Sequence, residues 1–263
     1  MLSVLYPLVI WLLVKKVRYA QESYRYLLAA FILGAAVFYL AYLRKFYVAL
    51  FSGAALYGID LVTTGFIEEA AKLLILMLPL IRNRIDERNG AFYGMVVGLG
   101  FGGGEALMVL ASVASSFSLN QFTLLFDLLI LNNLLTLGLT QMEILLVGFL
   151  ILPQLIFEIS TLLSVLFLPT LLGIPLLAVY ERLIAVLFHA STAAIIGYGL
   201  VRGKTLKFYL VAVILHILLN SFALLYTFGV IGVVEVEGLI TVFAVALFIY
   251  VMYKKVWTVE KLK

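Results

Sequence analysis

The chain has 263 residues, 65% of them hydrophobic and 12% charged, and its mean hydropathy of +1.19 excludes a soluble globular domain. There is no cysteine, which excludes a disulfide framework, a thiolate metal site and a cysteine nucleophile. The formal net charge of +4 is gathered in short clusters at the ends of apolar runs, a pattern of membrane topology and not of a nucleic-acid surface.

Apolar runs of helical length, without sustained alternation of polar and apolar residues, predict helices rather than a β-barrel. In chain order the predicted spans are about 1–14, 26–43, 46–63, 66–81, 90–116, 122–137, 141–168, 174–200, 206–227 and 238–253. The first lacks a preceding basic region and a cleavage site, so it reads as a span and not as a removed signal peptide. It is also short, and 122–137 carries Asp127, Asn132 and Asn133, so eight to ten of these segments are expected to cross. The fold class is therefore all-α, a polytopic transmembrane helix bundle, with the whole of 1–263 in a single integral membrane domain.

Basic loops set the orientation. RNRIDER (Arg82–Arg88), RGKTLK (Arg202–Lys207) and the tail from Lys254 to Lys263 are the positive ends and are placed in the cytoplasm, with the C-terminus. Between Arg88 and Arg182 there is no lysine or arginine, so that stretch gives no orientation of its own. KKVR (Lys15–Arg18) falls outside if every segment crosses, which implies that one of the first three does not.

The spans contain Asp60, Glu68, Glu69, Lys72, Glu105, Asp127, Glu143, Glu158, Glu181, Arg182, His189 and His216. A charge at a helix centre in the bilayer costs roughly 2.5–3.5 kcal/mol, so each needs a reason. Asp127, Glu143 and Glu158 are placed where they can snorkel, and Asp60 reads as structural. The others agree in depth. Counted from the basic loops at 1.5 Å per residue, Glu69, Glu105, His189 and His216 all lie about 18–22 Å in. Four helices of alternating direction thus bring their polar groups to one level, which predicts a single site.

Glu68 and Glu69 are four and three residues before Lys72, so Lys72 can pair with either and leave the other free to act on a proton. Two adjacent carboxylates and Glu105 cannot all stay charged in a low dielectric without Lys72 or Arg182. His216 and Asn220 in HILLN stand one turn apart and present an imidazole and an amide to one point, as donors to an oxyanion would. In GLGFGGGE (Gly98–Glu105) the glycines allow close helix approach or a locally opened backbone.

EEAAK at Glu68–Lys72, GFGGGEA at Gly100–Ala106, ER at Glu181–Arg182 followed by His189, and HILLN at His216–Asn220 occur in one order. Together they resemble the glutamate-type intramembrane proteases of the CAAX-protease and bacteriocin-processing superfamily. The chain looks most like its YhfC-like branch, with PrsW-like features in EExxK and in FxxxE at Phe101–Glu105. The resemblance covers about residues 60–225, which makes that region the catalytic core and leaves 1–59 and 238–253 as peripheral helices. It implies that Glu68 or Glu69 is the base for water, with His189 as its partner and His216 and Asn220 at the oxyanion. Lys72, Phe101, Glu105, Glu181 and Arg182 would support them. Lys72 stands where many members have arginine, and Glu105 where the prenyl-protease branch has histidine. Those departures point to a prokaryotic plasma-membrane protease acting on membrane proteins or peptides other than prenylated ones.

The glutamate–histidine mechanism needs no cofactor. The same side chains also form a ligand set for zinc, through Glu69, Glu105, His189 and His216. Two other classes fit a buried Glu/His cluster: a proton- or ion-coupled transporter, whose expected internal repeat is not evident, and a catalytically silent membrane scaffold.

Overall fold

A computed structural model describes residues 2–112 and 176–257, and every regular element among them is helical. These are α1 (Leu2–Arg18), α2 (Tyr24–Tyr42), α3 (Arg44–Val48), α4 (Gly53–Met77) and α5 (Pro79–Arg82), then α6 (Gly90–Ser112). After them come α7 (Leu176–Val201), α8 (Thr205–Thr227), α9 (Val233–Val251) and a closing π-turn at Met252–Trp257. Among the described residues, five segments are long and apolar enough to cross a membrane: Tyr24–Val48, Gly90–Ser112, Leu177–Val201, Thr205–Thr227 and Val233–Val256. The chain is an integral membrane protein of the all-α, polytopic class. The predicted spans 122–137 and 141–168, with Asp127, Glu143 and Glu158, lie outside the described residues.

One boundary differs from the sequence reading. Segments 46–63 and 66–81 are not separated at Gly65; a single helix, α4, runs through it. The chain breaks earlier, where Ser52 is extended and Gly53 takes φ +58. Gly65 serves packing instead, since a Cβ there would come within 2.8 Å of Ile217 and 3.2 Å of the Val213 carbonyl on α8. At the other end α4 stops before Pro79, which has no N–H to continue the ladder and opens α5.

The chain divides into two compact units. One comprises Leu2–Ala106 and Tyr180–Lys263, and the other Leu107–Val179, of which Leu110 and Ala111 pack with Leu107, Ala178 and Val179. All the site residues belong to the first unit. Within it α4 packs between α2 and α8, and α8 packs on α9. The approach of α6 to α7 is set by Gly94 and Gly98: a Cβ on either would come within 2.2 Å of the Ala193 carbonyl or 2.1 Å of the His189 carbonyl. These glycines let the helix backbones touch, as small residues do in membranes. Of the two readings of the glycine run, close approach is the one realised, and the helix is unbroken.

The RNRIDER loop fixes where α6 begins. Asp86 Oδ1 accepts from the Arg88 and Asn89 amides at 2.8 and 3.1 Å, and Asn89 Oδ1 accepts from the Asp86 amide at 2.8 Å. Asn89 and Tyr93 in turn donate to the two oxygens of Glu22 at 2.9 and 3.0 Å. The start of α6 is thereby tied to the turn before α2, which sets how far along the bundle Glu105 lies.

Candidate active site

Glu68, Glu69 and Lys72 lie on one face of α4 and are all buried. Lys72 organises the centre. Its ammonium has three N–H donors, and three acceptors meet it: Glu69 Oε1 at 2.6 Å, His189 Nδ1 at 3.0 Å and Thr192 Oγ1 at 3.0 Å. The Phe101 ring covers it, with its centroid 4.9 Å from Nζ, and that ring also packs on His189.

Because Lys72 donates to Nδ1 of His189, the ring proton of this histidine is on Nε2. From there it is donated to Glu105 Oε2 at 2.7 Å. The other oxygen of Glu105 accepts from Arg182 Nη1 at 2.9 Å, and Arg182 also pairs with Glu181. A continuous chain of hydrogen bonds thus runs from Glu69 through Lys72, His189, Glu105 and Arg182 to Glu181. Its exposure rises from 0% at Glu69 and Lys72 to 35% at Glu181.

On the other side of Glu69, His216 Nδ1 lies 2.6 Å from Oε1. A carboxylate only accepts, so Nδ1 carries the hydrogen, and in the neutral ring Nε2 is the acceptor. That nitrogen is 3.7 Å from Glu68 Oε2, too far for a direct hydrogen bond. Glu68 Oε1 is held by Arg44 Nη1 at 2.9 Å. Arg44, Lys72 and Arg182 thus pair with Glu68, Glu69 and Glu105 respectively. Phe188 closes the site edge-on against both histidines.

The structure brings together Glu68, Glu69, Lys72, Phe101, Glu105, Glu181, Arg182, His189 and His216. The pairing of the histidines differs from that expected. His216, expected at the oxyanion, is the histidine that meets both glutamates, whereas His189, expected beside the base, bridges Lys72 and Glu105. Depth along a helix is one coordinate and does not say which histidine faces which carboxylate. Asn220 is half-buried one turn beyond His216 and makes no side-chain hydrogen bond among the described residues.

Two groups escaped the sequence reading: Arg44, which looks like an interfacial residue between two apolar runs, and Thr192. A signal for the first was present. Asp60, Thr64, Glu68 and Lys72 recur every four residues, a polar stripe on one face of α4 that needs a buried partner.

Donor atoms of Glu68, His189 and His216 lie within 4.8 Å of one another, a two-histidine, one-carboxylate set of the type that holds catalytic zinc. The set differs from the one read in the sequence by having Glu68 in place of Glu69 and Glu105. In donor type and spacing it fits a metal. Glu68 Oε2 and His216 Nε2 are open, whereas His189 is engaged at both nitrogens and would ligate by releasing Lys72 or Glu105.

A family model described as PrsW family intramembrane metalloprotease matches residues 22–137. The matched stretch includes Arg44, Glu68, Glu69, Lys72, Phe101 and Glu105 and ends before His189 and His216. No curated protein and no solved structure matches the chain.

Proposed function

We propose that the protein is an intramembrane endopeptidase in which Glu68 and His216 hold and activate a water. The observation that carries this is the 3.7 Å gap between two acceptors, Glu68 Oε2 and His216 Nε2. Two lone pairs facing each other in a dry interior call for a donor between them, and a water can donate one hydrogen to each. Held so, its own lone pair is turned outward for attack on a carbonyl carbon. Glu68 takes the water's proton as the carbon–oxygen bond forms and returns it to the departing amine as the carbon–nitrogen bond breaks. Glu69, pinned by Lys72, orients His216 through Nδ1 and keeps Nε2 an acceptor, the role of the third member in a nucleophile–base–orienter set. Asn220, whose amide has no other partner among the described residues, is assigned to the oxyanion.

The similarity of residues 22–137 to PrsW family intramembrane proteases supports this reaction class. Assignment to the YhfC-like branch and the wider superfamily rests on the order of the four sequence motifs. Burial of the cluster supports a membrane-embedded or juxtamembrane peptide as substrate. The open lone pairs at Glu68 and His216, and the word metalloprotease in the matched family's description, favour a second version in which Glu68, His189 and His216 hold zinc. When bound, such an ion would supply Lewis acidity toward the carbonyl and the water.

The test is cleavage of a library of transmembrane peptides by the purified protein in proteoliposomes, with metal analysis alongside. Cleavage that survives full chelation in metal-free protein supports the glutamate–histidine version, and loss restored by zinc supports the second. Proton or ion flux without any cleavage would sink both and favour a transporter.

A further inference from the structure

We propose that Arg44 is a positioning residue for Glu68: by fixing Oε1 it turns Oε2 toward His216. The inference rests on Glu68 being the carboxylate that meets the water.

Arg44 follows the bend at Leu43 between α2 and α3, and its side chain is only 6% exposed. Its Nη1 lies 2.9 Å from Glu68 Oε1 and donates to the Ala41 carbonyl at 3.3 Å, while Nε donates to Thr64 Oγ1 at 3.0 Å. A planar guanidinium held at three points has one orientation, which an ammonium on a flexible stem does not. The guanidinium therefore joins the last turn of α2 to two residues one turn apart on α4.

A second carboxylate, Asp60, lies farther from the guanidinium and accepts from Thr64 Oγ1 at 3.4 Å. Asp60 Oδ1 is 3.8 Å from Arg44 Nε, and its Oδ2 is taken by Lys45 at 2.6 Å. Lys45 draws Asp60 outward and leaves Nη1 to Glu68. Among the described residues Arg44 is the one lysine or arginine within ion-pair distance of Glu68. Its removal leaves Glu68 free to swing its carboxylate, and the 3.7 Å gap that seats the water is lost.

The experiment measures kcat, KM and the unfolding midpoint of the full-length protein in proteoliposomes, with a fluorophore–quencher transmembrane peptide that the wild type cleaves. The variants are R44Q, R44K, T64V, T64S and E68Q. R44Q is expected to lower kcat about 100-fold with KM nearly unchanged, the scale of a catalytic group misplaced by an ångström. R44K should recover only part of this, because it returns the charge without the fork. T64V, which removes the anchor of Nε and no charge, should lower kcat by roughly 3- to 10-fold, and T64S should recover most of that loss. If R44Q does not fold, T64V decides: wild-type kcat in T64V overturns the proposal. Wild-type kcat in R44Q or full recovery in R44K, with E68Q inactive, overturns the positioning role and leaves the base in place. Wild-type cleavage by E68Q removes the base assignment and the positioning role with it.

Discussion

Glu68 and Glu69 are neighbours in sequence and opposites in surroundings. On the Glu69 side the donors near the carboxylate are committed and meet only Oε1, while Oε2 is buried with no hydrogen-bond partner among the described residues. Both Lys72 and His216 approach Oε1 at 2.6 Å, and all three Lys72 donors have acceptors. On the Glu68 side a single guanidinium holds one oxygen, and the other faces an imidazole nitrogen across 3.7 Å. Adjacent helical residues point about 100° apart, so Glu69 turns toward α8 and Glu68 toward Arg44 at the start of α3. A closed arm fixes geometry and an open one leaves room for a reacting molecule. That division of labour answers why a membrane helix carries two carboxylates in a row.

The comparison can be broken at four places. Removing the cation of the closed arm should have the largest effect: K72M strands Glu69 in a dry interior and should cost about 3–5 kcal/mol of stability. Chemical unfolding in detergent measures it, and an unchanged midpoint would mean the arm is not closed. On the open side, N220A should lower kcat by the equivalent of about 2.7–4 kcal/mol without shifting unfolding, if its amide serves the oxyanion. Unchanged kcat would remove Asn220 from the site. G98A pushes a methyl group against the His189 carbonyl, which lies 2.1 Å from where its Cβ would sit. It should destabilise by about 1–3 kcal/mol, and wild-type stability would show that α6 and α7 can separate freely. The smallest effect is expected at the half-exposed end of the chain, where E181Q should cost no more than about 1 kcal/mol. A loss there as large as that of K72M would contradict the graded burial of the arm.

Much of this arrangement was legible before any coordinates. Loop-to-residue distances placed Glu69, Glu105, His189 and His216 at one depth, and the structure joins all four through Lys72 and hydrogen bonds. Pairing within that level was not legible, because it depends on how each helix is rotated about its axis, and contacts alone fix that rotation. The gap predicted between 63 and 66 has a related cause: a glycine that ends a helix and one that admits a neighbouring helix, as Gly65 does, look alike in a sequence. Arg44 was hidden by its position between two apolar runs, where snorkelling to the interface is the ordinary fate of an arginine. Only the polar stripe from Asp60 to Lys72 on α4 pointed to it.

The most direct test of the account compares E68Q with E69Q for peptide cleavage and for unfolding midpoint in the same proteoliposome preparation. The account predicts that E68Q folds like the wild type and does not cleave, while E69Q unfolds measurably earlier because Lys72 has lost its carboxylate. Wild-type cleavage by E68Q, or an E69Q protein as stable as the wild type, would contradict it.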